Sequence, residues 1–162
     1  MAVGQGAGWQ EERDHKPWIG KAGQLLRNIL RDIRQENKKE YSICLTNIIR
    51  CRPTELIDNR VTDRPPTKEE LTHCFKYLLS DIEELKPKII LLMGGSAASA
   101  FNFNSSISRI RGKLNIYTIN KINYSIMATY HPAGVLRIPS LGMEMRKDIL
   151  SAFAIVNKKV NI

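Results

Sequence analysis

The stretch Lys88-Ile89-Ile90-Leu91-Leu92-Met93-Gly94-Gly95-Ser96-Ala97-Ala98-Ser99-Ala100 decides the fold. From Lys88 to Met93 it is a short apolar run of strand length, and Gly94-Gly95-Ser96 turns it into a small alanine-rich helix. The same order recurs along the chain. Met1-Ala2-Val3 reads as the tail of a strand that runs straight into Gly4-Gln5-Gly6-Ala7-Gly8. Leu25, Leu26, Ile29, Leu30 and Ile33 recur at helical spacing and predict an amphipathic helix over about 21–36. Tyr41 to Ile49 is rich in β-formers and predicts a buried strand. Residues 51–66 carry Pro53, Pro65 and Pro66 among charges and read as a loop. Thr67-Lys68-Glu69-Glu70 has capping-box spacing and opens a helix whose apolar face is Leu71, Cys74, Leu78, Ile82 and Leu85. Residues 115–119 and 124–129 read as two further strands, and Pro139-Ser140 starts a last helix that runs to about Val156. Strands alternating with helices imply an α/β fold, a three-layer α/β/α arrangement around a central, mostly parallel sheet. Ligands of such sheets sit beyond the C-terminal ends of the strands. Gly4–Gly8, Asn47–Pro53 and Tyr130–Arg137 all follow predicted strand ends, so the fold predicts that they converge.

Composition narrows the class. The 162 residues suffice for one domain with a hydrophobic core, and a single domain over 1–162 is the expectation. Lys and Arg outnumber Asp and Glu by 25 to 16, a net charge of +9 that suits a polyanionic partner, of which nucleic acid is the commonest. A basic surface kept for solubility is the alternative. The three cysteines, Cys44, Cys51 and Cys74, show no paired spacing and argue against a disulfide framework. No apolar run reaches membrane-spanning length, and Met1-Ala2-Val3-Gly4 does not open a signal peptide. The protein is expected to be intracellular, monomeric and without a membrane partner.

Four segments carry chemistry. Three glycines within Gly4–Gly8 let backbone turn tightly and approach a ligand, or serve as an ordinary strand-to-helix turn. Their spacing fits neither the dinucleotide fingerprint nor the phosphate-binding P-loop. In Lys16-Pro17-Trp18-Ile19-Gly20, Trp18 is either a platform for a flat base or a core tryptophan. In Thr46-Asn47-Ile48-Ile49-Arg50-Cys51-Arg52-Pro53, the Asn47 amide offers a donor and an acceptor side by side, or caps the strand end. In Tyr130-His131-Pro132-Ala133-Gly134-Val135-Leu136-Arg137, His131 follows a strand and sits in a loop. Val135 and Leu136 could wedge between bases, and Arg137 could hold a phosphate.

In order and spacing the four segments resemble the family 4 uracil-DNA glycosylases, a branch that often carries an iron–sulfur cluster. The family pattern runs Gly-Glu-Ala-Pro-Gly, Glu-Asp/Glu, Gly-Arg-Pro-Phe-Val-Gly-x-x-Gly-x-Leu-Leu, Thr-Asn-x-x-Lys-Cys-Arg-Pro, a later Cys, Leu-Gly, Leu-Arg-Gly and His-Pro-x-x-x-Leu-Arg. This sequence supplies Gly4 to Gly8, Glu11-Glu12, Pro17 to Gly20, Gly23 to Leu26, Thr46-Asn47 and Cys51-Arg52-Pro53. It then supplies Cys74, Gly94, Ile110-Arg111-Gly112 and His131 to Arg137. The resemblance implies a domain that acts on uracil-containing DNA, single- or double-stranded, by flipping the base out of the stack. It implies that Trp18 stacks on uracil, with Gly4 and Gly6 lining its seat. Asn47 then reads the uracil N3–H and O4 and rejects cytosine, whose donor and acceptor are reversed. His131 bonds O2, where negative charge develops as the glycosidic bond breaks. Gly94, Ser96, Arg111, Val135, Leu136 and Arg137 face the DNA.

Two departures qualify what the resemblance implies. The family's catalytic Glu is Gln5 here, and the position after it, where other branches place a carboxylate, is Gly6. An amide can orient water but can be neither a base nor a countercharge. A catalytically weak or inactive uracil- or DNA-binding module is therefore the rival reading. The family's cluster takes four cysteine thiolates. Cys51 and Cys74 match two, Cys44 lies within a strand, and the other two belong to a Cys-x-x-Cys ahead of the first strand. No cofactor is expected for this chain, with [4Fe-4S] possible only if additional ligands are supplied. An N-terminal segment lost or not included is a further expectation.

Overall fold

The computed structural model of the chain describes residues 1–38 and 40–158. In chain order these are β1 (Ala2–Gly4), α1 (Trp9–Asp14), α2 (Lys21–Asn37), β2 (Leu45–Asn47), β3 (Thr54–Ile57), β4 (Arg60–Asp63) and α3 (Lys68–Leu85). There follow β5 (Ile90–Met93), α4 (Gly95–Ala100), α5 (Ile107–Ile110), β6 (Leu114–Ile119), β7 (Ile122–Thr129), α6 (Pro132–Arg137) and α7 (Leu141–Lys158). Five strands form one sheet in the order β2-β1-β5-β7-β6. The first four are parallel, with Gly4 opposite Asn47 and Met93 opposite Thr129, and β6 runs antiparallel to β7 at the edge.

The alternation of side chains across each strand builds two cores. Val3, Ile90, Leu92 and Ile126 face one side, where Leu78 and Ile82 of α3 and Ala97 and Ala98 of α4 close over them. Ala2, Leu91, Met93 and Met127 face the other, under Leu26, Leu30 and Ile33 of α2 and Met145, Ile149 and Ala152 of α7. A sheet covered on both faces needs apolar residues at every strand position, which is why 89–93 reads as an uninterrupted run. The three-layer α/β/α expectation therefore holds, as does the capping box: Thr67 accepts from the Glu70 amide, and the Glu70 carboxylate accepts from the Thr67 amide.

Several local expectations are corrected. Within Tyr41–Ile49 only Leu45–Asn47 is strand, because β1 offers only three residues to pair with. The middle of 51–66 is not loop but the hairpin β3–β4, turned at Asp58 and Asn59, both at positive φ. Its Leu56, Ile57 and Val61 stay exposed, so no burial pattern marked it, and the prolines flank it. The short helices α1, α5 and α6 lie below the length at which periodicity declares itself. His131, read as lying in a loop, is instead the N-cap of α6, with Pro132 at the first helical position.

Candidate active site

β1 sits between β2 and β5, and the chain leaves it first toward β2 and later returns on its other side at β5. That is the switch point of a doubly wound sheet, where the turns after neighbouring strands part and leave a crevice. The crevice is a cavity of about 810 Å³. The turn after β1 lines it with Gln5, Gly6 and Gly8, the end of β2 with Asn47, the turn after β5 with Gly94 and Ser96, and α6 with His131 and Arg137. The three segments thus converge as the fold predicts. A second cavity of about 780 Å³ opens at the opposite, N-terminal end of the strands around Met1, Tyr41, Cys44, Pro87 and Phe153. It is predominantly apolar and has none of the converging strand-end groups of the first, which makes the first the candidate site.

The structure places Trp18 in the core and against the cavity at once. It is 5% exposed and belongs to the second core, yet its ring also walls the cavity. Its indole Nε1–H donates to the Thr46 carbonyl (3.1 Å), one residue before Asn47. Trp18 adopts a left-handed backbone (φ 59), a strained choice for a bulky residue. Three contacts hold it there. Arg27 Nε–H donates to the Trp18 carbonyl (3.1 Å), the missing Cβ of Gly23 makes room for that carbonyl, and Glu11 Oε1 accepts from the Gly20 amide (2.8 Å). Glu11, a motif carboxylate, thus fixes the loop that carries the indole.

Gly4 is glycine for steric reasons. A Cβ there would lie 2.6 Å from both Asn47 Oδ1 and Trp18 Cζ2. At Gly6 the atoms nearest to a Cβ would be 3.7 Å away, an ordinary van der Waals contact. The side-chain amides of Asn47 and Gln5 have no protein partner among the described residues. Asn47 is therefore not spent as a cap.

His131 is held as a neutral donor. Its Nδ1 accepts from the Ala133 amide (3.1 Å), which places the proton on Nε2. Burial, then the nearby Arg137 charge, pull its pKa from 6.5 down to about 4. The ring stacks on Trp18, with centroids 5.7 Å apart and planes 27° apart. Gly94 (φ 90) abuts it, since a Cβ would come within 2.8 Å of His131 Cβ.

The DNA-facing expectations divide. Leu136 (48% exposed) and the exposed Arg137 are free to reach a ligand. Val135 is not, since it is buried against α7 in the second core. Arg111 is also corrected. Its guanidinium donates to both carboxylate oxygens of buried Asp148 (2.9 and 2.7 Å) and to the Glu144 carbonyl. Asp148 also accepts from the buried Thr129 hydroxyl (2.6 Å), two residues before His131. Arg111 thus braces the strand end that carries the histidine. Sequence reading missed that the hairpin helps wall the cavity through Asp63 and Arg64. Asp63 accepts from Arg52, which also reaches Glu12 (3.1 Å) and so ties the hairpin to α1. Trp9 on the rim was missed too, although its place directly after the glycine turn was a usable signal.

The cysteines do not assemble a cluster site. Cys51 is exposed and Cys74 half-buried, and burial pushes the Cys44 thiol above its ordinary pKa. Among the described residues no three of His, Cys, Asp or Glu are placed to hold a metal. No helix among the described residues is long and apolar enough to cross a membrane.

Fold and cavity together define a class, an α/β/α domain that takes its ligand at the switch point of a parallel sheet. Comparison with known proteins makes it specific: the family model of the uracil DNA glycosylase superfamily matches residues 1–154, and the chain belongs to that superfamily. It is 30% identical to a type-4 uracil-DNA glycosylase of Sulfurisphaera tokodaii, over 100% of this chain and 73% of the relative. Likewise it is 33% identical to that of Archaeoglobus fulgidus (97% and 76%) and 32% identical to that of Pyrobaculum aerophilum (94% and 76%).

Proposed function

We propose that the chain excises uracil from DNA as a monomer inside the cell, by hydrolysis of the N-glycosidic bond of a flipped-out nucleotide. The observation that carries this reading is the meeting, in one cavity, of an unpartnered amide at Asn47, the Trp18 indole and the neutral His131 imidazole. In this reading uracil lies against Trp18, with Gly4 and Gly6 beneath it, and the Asn47 amide takes N3–H and O4. Because a fixed asparagine presents one order of acceptor and donor, cytosine is refused. As the glycosidic bond lengthens, negative charge gathers on uracil O2 and the His131 Nε2–H donates to it. A donor that is already neutral and oriented favours the transition state over the ground state. Gln5 orients the attacking water without supplying charge. Leu136 enters the gap left by the base, and Arg137, Ser96 and Gly94 meet the strand.

The rival reading, a uracil- or DNA-binding module without turnover, draws on Gln5 and Gly6, which leave no carboxylate at the two positions where the superfamily places one. Uracil release from a single-stranded oligonucleotide, beside an Asn47→Ala control, separates the two. Release by wild type that Asn47→Ala abolishes supports excision. Tight uracil-dependent binding with no release supports the module. Two matching cysteines are too few for a cluster, so the purified chain is expected to hold no stoichiometric iron; iron with a visible absorption band would count against that reading.

A further inference from the structure

We propose that Trp9 is a second base platform, one that stacks the nucleotide beside the flipped uracil and so suits the site to single-stranded DNA. The inference rests on reading the cavity as the uracil seat. Trp9 opens α1 immediately after Gly8, lies on the cavity rim and is 54% exposed. The other tryptophan, Trp18, is buried in the same wall. A half-exposed indole beside the cavity leaves an aromatic face on which a flat ligand can stack.

The surroundings of the ring identify the ligand. The Arg13 guanidinium, four residues on in α1, lies over the ring 4.8 Å from its centroid. Asp14 holds it there, accepting from Nε and Nη2 at 2.6 and 2.9 Å. Arg13 thus covers one side of the indole. It remains 54% exposed and can still meet a phosphate. Lys21 and Arg137, exposed and without an ion pair among the described residues, line the same cavity. Glu11 and Asp63 share the cavity wall with these cations. A flat aromatic ring capped by one guanidinium, on a cavity that also carries Lys21 and Arg137, still fits a nucleobase with its phosphates better than an apolar protein surface. In a duplex the neighbouring base is already stacked and paired, and Trp9 would have to compete with that stack. In a single strand it competes only with water.

The test is equilibrium binding by fluorescence anisotropy to a labelled strand with one central uracil. The strand is presented alone, in duplex, and with the two flanking nucleotides abasic, and thymine replaces uracil in a parallel set. Trp9→Ala is expected to weaken binding of the intact single strand by roughly 5- to 150-fold. Trp9→Phe should keep most of the affinity. The loss should shrink on the duplex and vanish on the strand with abasic flanks, which offers no base to stack. An unchanged affinity in Trp9→Ala, or an equal loss with and without the flanking bases, overturns the proposal. So does conversion of a dimer to a monomer by Trp9→Ala in light scattering, which would make the ring a contact between copies. If wild type prefers uracil no more than thymine while the flank-dependent loss persists, the reading of the uracil seat fails and the Trp9 platform stands.

Discussion

Replacing His131 by asparagine should flatten the acid limb of the protein's stability profile. Asparagine keeps a side-chain oxygen for the Ala133 amide, so the α6 cap survives while the titrating ring is lost. In the folded protein burial and Arg137 hold the His131 pKa at about 4, whereas in the unfolded chain it returns to about 6.5. The folded state therefore takes up its proton later than the unfolded state does. Stability from the neutral ring is fully present above pH 6.5 and is lost as pH falls toward 4. The whole loss amounts to about 3 kcal/mol, of which roughly 2.5 kcal/mol is gone by pH 4.5. Urea unfolding of wild type and His131→Asn at pH 7.5, 6.0 and 4.5 isolates this share, since every other titrating group is common to both. The wild type should lose more than the variant by about that amount. Parallel profiles would refute the idea that the imidazole is held neutral by its surroundings, and with it the argument that it enters the reaction as a ready neutral donor.

Further outcomes follow from the same geometry. Gly4→Ala should abolish uracil-dependent binding in a titration, because its methyl group would meet Asn47 and Trp18. Arg111→Ala should cost about 3–5 kcal/mol in a denaturant melt by stranding buried Asp148 and leave the salt dependence of DNA binding unchanged. Arg137→Ala should leave stability alone and reduce the slope of log Kd against log salt by about one. Gln5→Glu should raise single-turnover excision by roughly 10²–10⁴-fold, and His131→Ala should lower it by about 10²–10³-fold. A wild-type rate that Gln5→Glu leaves unimproved would mean that another group orients the water.

What the sequence made legible was whatever repeats or whatever chemistry demands. The run 89–93 disclosed a two-sided sheet because every position of a covered strand must be apolar, and the spacing of α2 disclosed one buried stripe. The strand ends then placed Gln5, Asn47 and His131 in one crevice. Illegible were features that depend on partners distant in sequence. Arg111 and Arg137 look alike as exposed cations of a basic chain, and only the approach of Asp148 from α7 separates the brace from the free charge. Val135 and Leu136 are adjacent apolar residues, and the rotation of a six-residue helix decides which of them is buried. The β3–β4 hairpin left no trace in hydropathy because its apolar side chains face water.

The bond from Thr129 to Asp148 has a consequence for motion. One carboxylate on α7 holds the strand end before His131 and, through Arg111, the turn that leads into β6. Any local opening that lifts the middle of α7 away from the sheet must release both at once, so the three segments form one cooperative unit. Backbone amides at Gly112, Ala128 and Ile149 should then exchange with solvent at a common free energy of opening. The histidine's strand end can loosen only as fast as a helix far along the chain lets go.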